Sequence, residues 1–150
     1  MEFFYQSGAL GFDGKGWAWH KIFGYGFPTL PTITKTITYF PVKGKMFPVF
    51  PIPFTKSVWN KVGLANPGLV YWVKKCYNED LILSLYIGSY EELIHTMYIL
   101  KHYPLKGVEL NISCPNIKAD NTFYDITWDK CIESIRKKCQ IEQLFLKVRH

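Results

Sequence analysis

A chain of 150 residues that is 48% hydrophobic, 17% aromatic and 20% charged can bury about 70% of its unfolded surface as one domain, which excludes a disordered class. Its 18 Lys+Arg against 12 Asp+Glu give +6, yet the basic residues lie in small groups (Lys43 and Lys45; Lys74 and Lys75; Arg136, Lys137 and Lys138), a pattern of solvated faces and helix ends that suits anionic small molecules better than nucleic acid. No apolar run approaches the ~18 residues of a membrane span, Met1-Glu2-Phe3-Phe4 has no secretory character, and Cys76, Cys114, Cys131 and Cys139 lack CxxC or metal-ligand spacing, so a cytoplasmic chain with reduced thiols, no metal and no membrane partner is expected.

Phe3–Tyr5 reads as a short apolar strand. It leads into Ser7–Gly16, whose glycines at 8, 11, 14 and 16 miss the dinucleotide spacing and suggest close backbone approach to a flat ring. The aromatic residues Trp17, Trp19, Phe23, Tyr25 and Phe27 suit core packing or a lid over a cleft. Thr32–Thr38 alternates β-branched residues around Lys35, the pattern of a second strand. Pro31, Pro41, Pro48, Pro51 and Pro53 make the Tyr39–Phe54 stretch a hairpin-like or irregular excursion. Asn66-Pro67-Gly68 reads as an asparagine N-cap and a proline in the first helical position, opening a helix with Val70, Tyr71 and Val73.

The second half alternates regularly. Leu81–Ile87 is a strand-length apolar run, and Ser89 with Glu92 forms a capping box ahead of a helix bearing Leu93, Ile94, Met97, Tyr98 and Leu100. The strand Val108–Ile112, a polar loop through Asn121, a helix from about Thr127 to Lys138 with Cys131, Ile132 and Ile135, and the strand Leu144–Val148 follow. Strand–helix alternation implies right-handed crossovers and parallel strands, hence an α/β sheet or barrel. His20, His95, His102 and His150 have no catalytic or metal spacing, and Cys76, Cys131 and Cys139 read as helix packing residues.

The most informative string is Glu109-Leu110-Asn111-Ile112-Ser113-Cys114-Pro115-Asn116. It ends a strand on an asparagine and follows it with a Ser-Cys-Pro-Asn loop, which in a parallel barrel lies on the active face. Here the sequence resembles the dihydroorotate dehydrogenases, FMN-dependent enzymes of pyrimidine synthesis, in their class 1, cytosolic branch. Ser7-Gly8-Ala9-Leu10-Gly11-Phe12 is similar to the family's first-strand loop, and Thr34-Lys35-Thr36 to its second-strand lysine. Asn60 to Gly68 is similar to the substrate loop, and Leu146-Lys147-Val148 to the lysine ending the fifth strand.

The resemblance implies a partial TIM (β/α)8 barrel of about the first five parallel strands with intervening helices. Residues 1–150 would form one incomplete domain. Apolar residues such as Leu83, Leu85, Val108, Leu110 and Leu146 would then line the inner face. It further implies Cys114 as the catalytic base that takes a C–H proton, and FMN, held by Ser7, Gly8, Lys35, Asn111 and Lys147, as hydride acceptor. Substrate would be bound by Lys35, Asn60, Val62, Gly63, Leu64, Asn111 and Asn116. The asparagines suit a pyrimidine imide edge, and the Gly63 and Leu64 N–H groups suit a carboxylate. A full barrel takes ~250 residues, and no counterpart of the glycine-rich FMN-phosphate loops occurs in the 150. The expected partners are dihydroorotate or orotate and either a complementary barrel half or a second copy of the chain. Two alternatives remain open: a non-enzymatic remnant or interaction module of this fold, and another flavin barrel of the dihydropyrimidine or tRNA-dihydrouridine type.

Overall fold

The computed structural model describes residues 3–24, 26–27, 30–44, 49–51, 54, 58–60, 63–112 and 128–148. In chain order the elements are α1 (Ala18–Ile22), β1 (Thr32–Ile33), β2 (Val49–Pro51), β3 (Val58–Asn60), α2 (Leu69–Lys75), β4 (Leu81–Leu85), α3 (Tyr90–Leu100), β5 (Leu105–Asn111), α4 (Trp128–Lys138) and β6 (Ile141–Lys147). β1, β4, β5 and β6 form one sheet in that order, every neighbouring pair parallel. Spatial order that follows sequence order, with α3 and α4 as crossovers, is the winding of a barrel wall; in a doubly wound sheet the order reverses. β2 and β3 pair antiparallel as a separate two-stranded sheet, β2 inside the proline-rich Tyr39–Phe54 stretch and β3 beyond it.

Four of the five expected parallel strands are present among the described residues; the expected first, Phe3–Tyr5, is not a full strand. Phe3–Tyr5 contributes a single parallel bridge, Tyr5 to Thr32, on the edge of β1 away from β4. Even so, the rings of Phe4 and Phe145 of β6 meet with centroids 5.5 Å apart. A flat sheet would separate these outer members by roughly four strand spacings, about 19 Å. The sheet is therefore strongly curled, with Phe4 and Phe145 on its concave side.

Which face is apolar also differs from expectation. Register places Leu83 opposite Val108, and Leu85 opposite Leu110. All four are buried in one core with Leu93, Met97 and Leu100 of α3 and Cys131 and Ile135 of α4. These leucines and valines cover the helix side, and Leu146 on the same face of β6 remains 45% exposed. The concave face carries Ser84, Glu109 and Phe145, which lie in register with one another.

Local chemistry explains the remaining differences. β1 stops at Ile33, although the chain rejoins β4 through the Ile37–Leu85 bridge. Between these points the Ser84 N–H donates to the Thr34 hydroxyl (3.1 Å), a side-chain oxygen taking a place in the ladder. α2 begins at Leu69 with Gly68 as N-cap at φ 84°; Asn66 instead accepts from the N–H groups of Gly68 (2.8 Å) and Thr38 (3.2 Å). The helix buries Leu69 and Trp72 and leaves Val70 and Tyr71 45% and 51% exposed. α3 has the expected cap in altered form. Ser89 Oγ accepts from the Glu92 N–H, while the Glu92 carboxylate accepts from the Gly88 N–H (2.7 Å), one residue before the cap.

Candidate functional site

Parallel strands bring their carboxyl ends to one rim, where the predicted Asn111 and Lys147 lie. Asn111 ends β5 and Lys147 ends β6, paired in register, with the Ile112 N–H donating to the Lys147 carbonyl (3.2 Å). Lys35 lies in the interrupted stretch after β1. Its N–H donates to the Gly11 carbonyl (2.8 Å), and its Nζ donates to the Ala65 carbonyl (2.6 Å) and lies 5.2 Å from the Phe12 ring centroid. One lysine thus joins the first-strand loop to the loop before α2. Burial pushes the Lys35 ammonium below its ordinary value.

Ser7 and Gly8 are fixed against the same stretch. Ser7 Oγ donates to the Thr34 carbonyl (3.1 Å), and the Gly8 N–H donates to the Ile33 carbonyl (3.3 Å). Gly8 adopts φ 83°, and an added Cβ would meet Lys35 at ordinary contact distance. Left-handed backbone, not space, is what requires glycine there. The Trp17 indole N–H donates to the Gly8 carbonyl (3.1 Å), so the aromatic cluster supports the glycine loop from behind. His20 is buried, with Nδ1 accepting from the Trp17 N–H (3.2 Å).

Gly63 takes φ 67° at a turn with open space around it, and Leu64 is buried beside it. Asn60 closes β3 opposite Val49, away from the parallel sheet's own strands. Val62, Cys114 and Asn116 lie outside the described residues, as do Ser113 and Pro115. The remaining thiols act as packing groups. Burial raises Cys76 and Cys131, and pushes Cys139 up to about 11. Among the described residues, no group of three or more His, Cys, Asp or Glu could hold a metal ion, and no helix is long and apolar enough to cross a membrane.

Sequence reasoning missed the buried polar chain beneath this rim. Asn111 Nδ2 donates to Thr36 Oγ1 (2.9 Å), Thr36 Oγ1 lies 3.0 Å from Ser84 Oγ, and Ser84 Oγ donates to Glu109 Oε1 (2.7 Å). The available signal was polar letters at alternate positions of otherwise apolar strands: Thr34 and Thr36, Ser84, then Glu109 and Asn111.

A curled parallel α/β sheet in chain order, with Asn111 and Lys147 at its carboxyl rim, is consistent with part of a barrel wall. Comparison with known proteins narrows this. The catalytic subunit of dihydroorotate dehydrogenase B (NAD(+)) from Carboxydothermus hydrogenoformans is 31% identical over 126 residues, covering 77% of this chain and 40% of that one. The same-named protein of Thermoplasma volcanium is 28% identical over 122 residues, 78% of this chain and 39% of that one. That of Porphyromonas gingivalis is 32% identical over 75 residues, 45% and 24% respectively. The chain belongs to the dihydroorotate dehydrogenase family. It spans 24% to 40% of the length of these relatives. No family model matches it.

Proposed function

We propose that the chain supplies the first strands of an FMN-dependent barrel that oxidises dihydroorotate to orotate in pyrimidine biosynthesis, working with a complementary barrel half or a second copy. The observation that supports this reading is the pairing of Asn111 with Lys147 at the ends of β5 and β6, with Asn111 bonded to Thr36 next to Lys35 and the Ser7–Gly8 loop held against the same stretch.

These groups fit a flavin ring. Two ammonium groups can face negative charge developing on the ring, Asn111 offers both hydrogen-bonding polarities, and a glycine backbone at Gly8 allows close approach. FMN, when bound, supplies the hydride acceptor. Lys35, half-buried and bonded to a neutral carbonyl, provides preorganised positive charge in a setting less screened than water. By resemblance, Asn60, Val62, Gly63, Leu64, Asn111 and Asn116 would bind the substrate's carboxylate and imide. Cys114 takes the C–H proton at its Sγ. A thiol serves as base only where cations or excluded water favour its thiolate.

Stopped-flow flavin reduction by dihydroorotate under anaerobic conditions tests this, with Cys114→Ala expected to retain flavin and lose reduction. Full-rate reduction in that variant would remove Cys114 from the mechanism. Flavin reduction by dihydrouracil or dihydrouridine in place of dihydroorotate would favour the other flavin barrels.

A further inference from the structure

Asn66 is 7% exposed in the loop before α2, and both ends of its amide are fully used. Oδ1 accepts from the N–H groups of Thr38 (3.2 Å) and Gly68 (2.8 Å), while Nδ2 donates to Thr38 Oγ1 (2.8 Å) and to the Leu64 carbonyl (2.5 Å). These partners admit one amide orientation, since a flip would set Nδ2 against two N–H groups. The Asn66 main chain is held as well, exchanging both hydrogen bonds with Val42 (3.0 Å each). The Ala65 carbonyl, between these two anchors, is taken by Lys35 Nζ (2.6 Å). A carbonyl oxygen is the negative end of its peptide dipole, and in a trans peptide the N–H points the opposite way. Drawing the Leu64 and Ala65 oxygens onto protein donors therefore removes two groups that would repel an anion at the turn, and it turns the Ala65 N–H away from Asn66.

We propose that Asn66 is a positioning residue of the substrate end of the site: through the Leu64 carbonyl it holds the Gly63–Leu64 turn with N–H groups, not oxygens, presented to an anionic ligand. Its Oδ1 separately secures the start of α2 through Gly68, so one side chain ties the turn, the helix start and Thr38 together. The ligand half of this inference, that the anion is the carboxylate of a pyrimidine, rests on the function proposed above; the hold on the turn does not.

Two variants separate the turn from the helix start. Asn66→Asp keeps both accepted N–H bonds and loses both donors. Asn66→Ser is neutral, its hydroxyl can accept from the N–H two residues on, and it falls one bond short of Leu64. In 15N relaxation of the ligand-free chain, the Leu64 and Ala65 amides of wild type are expected to have order parameters of about 0.85, like those of Leu69–Trp72, and in both variants values below about 0.6, with α2 unchanged. Orotate and uracil, the same ring without the carboxylate, are then titrated and followed by amide shifts. Both variants should weaken orotate about tenfold, as for loss of one hydrogen bond to a charged group, and uracil less than about threefold. The added charge in Asn66→Asp itself repels orotate, so Asn66→Ser decides the ligand comparison, and it carries the whole test if Asn66→Asp fails to fold. Order parameters unmoved at Leu64 and Ala65, a loss spread equally through α2, or uracil weakened as much as orotate would overturn the proposal. If the turn loosens in the variants and wild type binds no orotate at millimolar concentration, the hold on the turn stands and the carboxylate reading fails.

Discussion

Trp72 ties the site loop to the core, and Trp72→Phe measures how strongly. The indole is fully buried, its Nε1 donates to the Phe12 carbonyl (2.7 Å), and its ring meets Tyr77 edge-on at 6.2 Å. Phenylalanine keeps an aromatic ring but removes the donor and one fused ring. The lost hydrogen bond costs about 1–1.5 kcal/mol, near the low end because Phe12 is only partly buried. The missing ring costs about 1–1.5 kcal/mol more, a fraction of the ~3–5 kcal/mol of a full Trp→Ala truncation. A total of about 2–3 kcal/mol, divided by a urea m-value of about 2 kcal/mol/M, lowers the midpoint by about 1–1.5 M. Urea unfolding followed by far-UV circular dichroism reads this, with Val70→Ala on the exposed face as a control expected within about 0.5 kcal/mol. A Trp72→Phe shift below about 0.3 M at unchanged m, or one matched by Val70→Ala, would refute the anchoring role.

Gly68→Ala should lose about 2–3 kcal/mol and melt lower by roughly 5–10 °C in a thermal scan, because φ is 84° and the new Cβ would lie 2.9 Å from the Pro41 nitrogen. Raising the pH should weaken the fold: Cys139 holds its proton to about 11 when folded against 9.0 otherwise, so the native state binds more protons than the unfolded one in that window. Stability then falls as pH climbs from about 9 to 11, by at most about 2–3 kcal/mol from this thiol. Denaturant midpoints in Cys139→Ala should fall less steeply across that range. Binding to duplex or single-stranded nucleic acid should be weak and non-specific, and affinity tighter than about micromolar with a steep salt slope would contradict the reading of the +6 charge.

The β4–α3–β5–α4–β6 succession was legible because each element carries an unambiguous local signal. Leu81–Leu85 is apolar at every position but Ser84, Ser89 caps α3, and α4 shows helical spacing between Cys131 and Ile135. Short elements were harder. Five residues of Ala18–Ile22 make little more than one turn, and in the seven of α2 the adjacent Leu69, Val70, Tyr71 and Trp72 give no helical phase. The start of α2 was misplaced because a glycine at positive φ, invisible in the letters, serves as its cap. Sheet sidedness was inverted for another reason: the apolar residues were assigned inward by analogy with packed barrel interiors, whereas the two helices claim that surface. Lys35, Asn111 and Lys147 were expected at the site by resemblance, and the structure pairs Asn111 with Lys147 at the ends of β5 and β6. A single Glu109 inside an apolar strand was not legible, since an isolated acid in a strand ordinarily faces solvent and only three-dimensional packing supplies Ser84 and Thr36 as its partners.

The central claim, that the carboxyl rim holds a flavin, is tested most directly by titrating FMN into the 15N-labelled 150-residue chain and following backbone amide shifts, a readout that detects even weak binding. The account predicts saturable shifts at Ser7, Gly8, Lys35, Gly63, Leu64, Asn111 and Lys147, with Glu79, Lys106 and Glu142 at the opposite end of the strands unmoved. Shifts confined to that opposite end, or none at millimolar FMN, would contradict it.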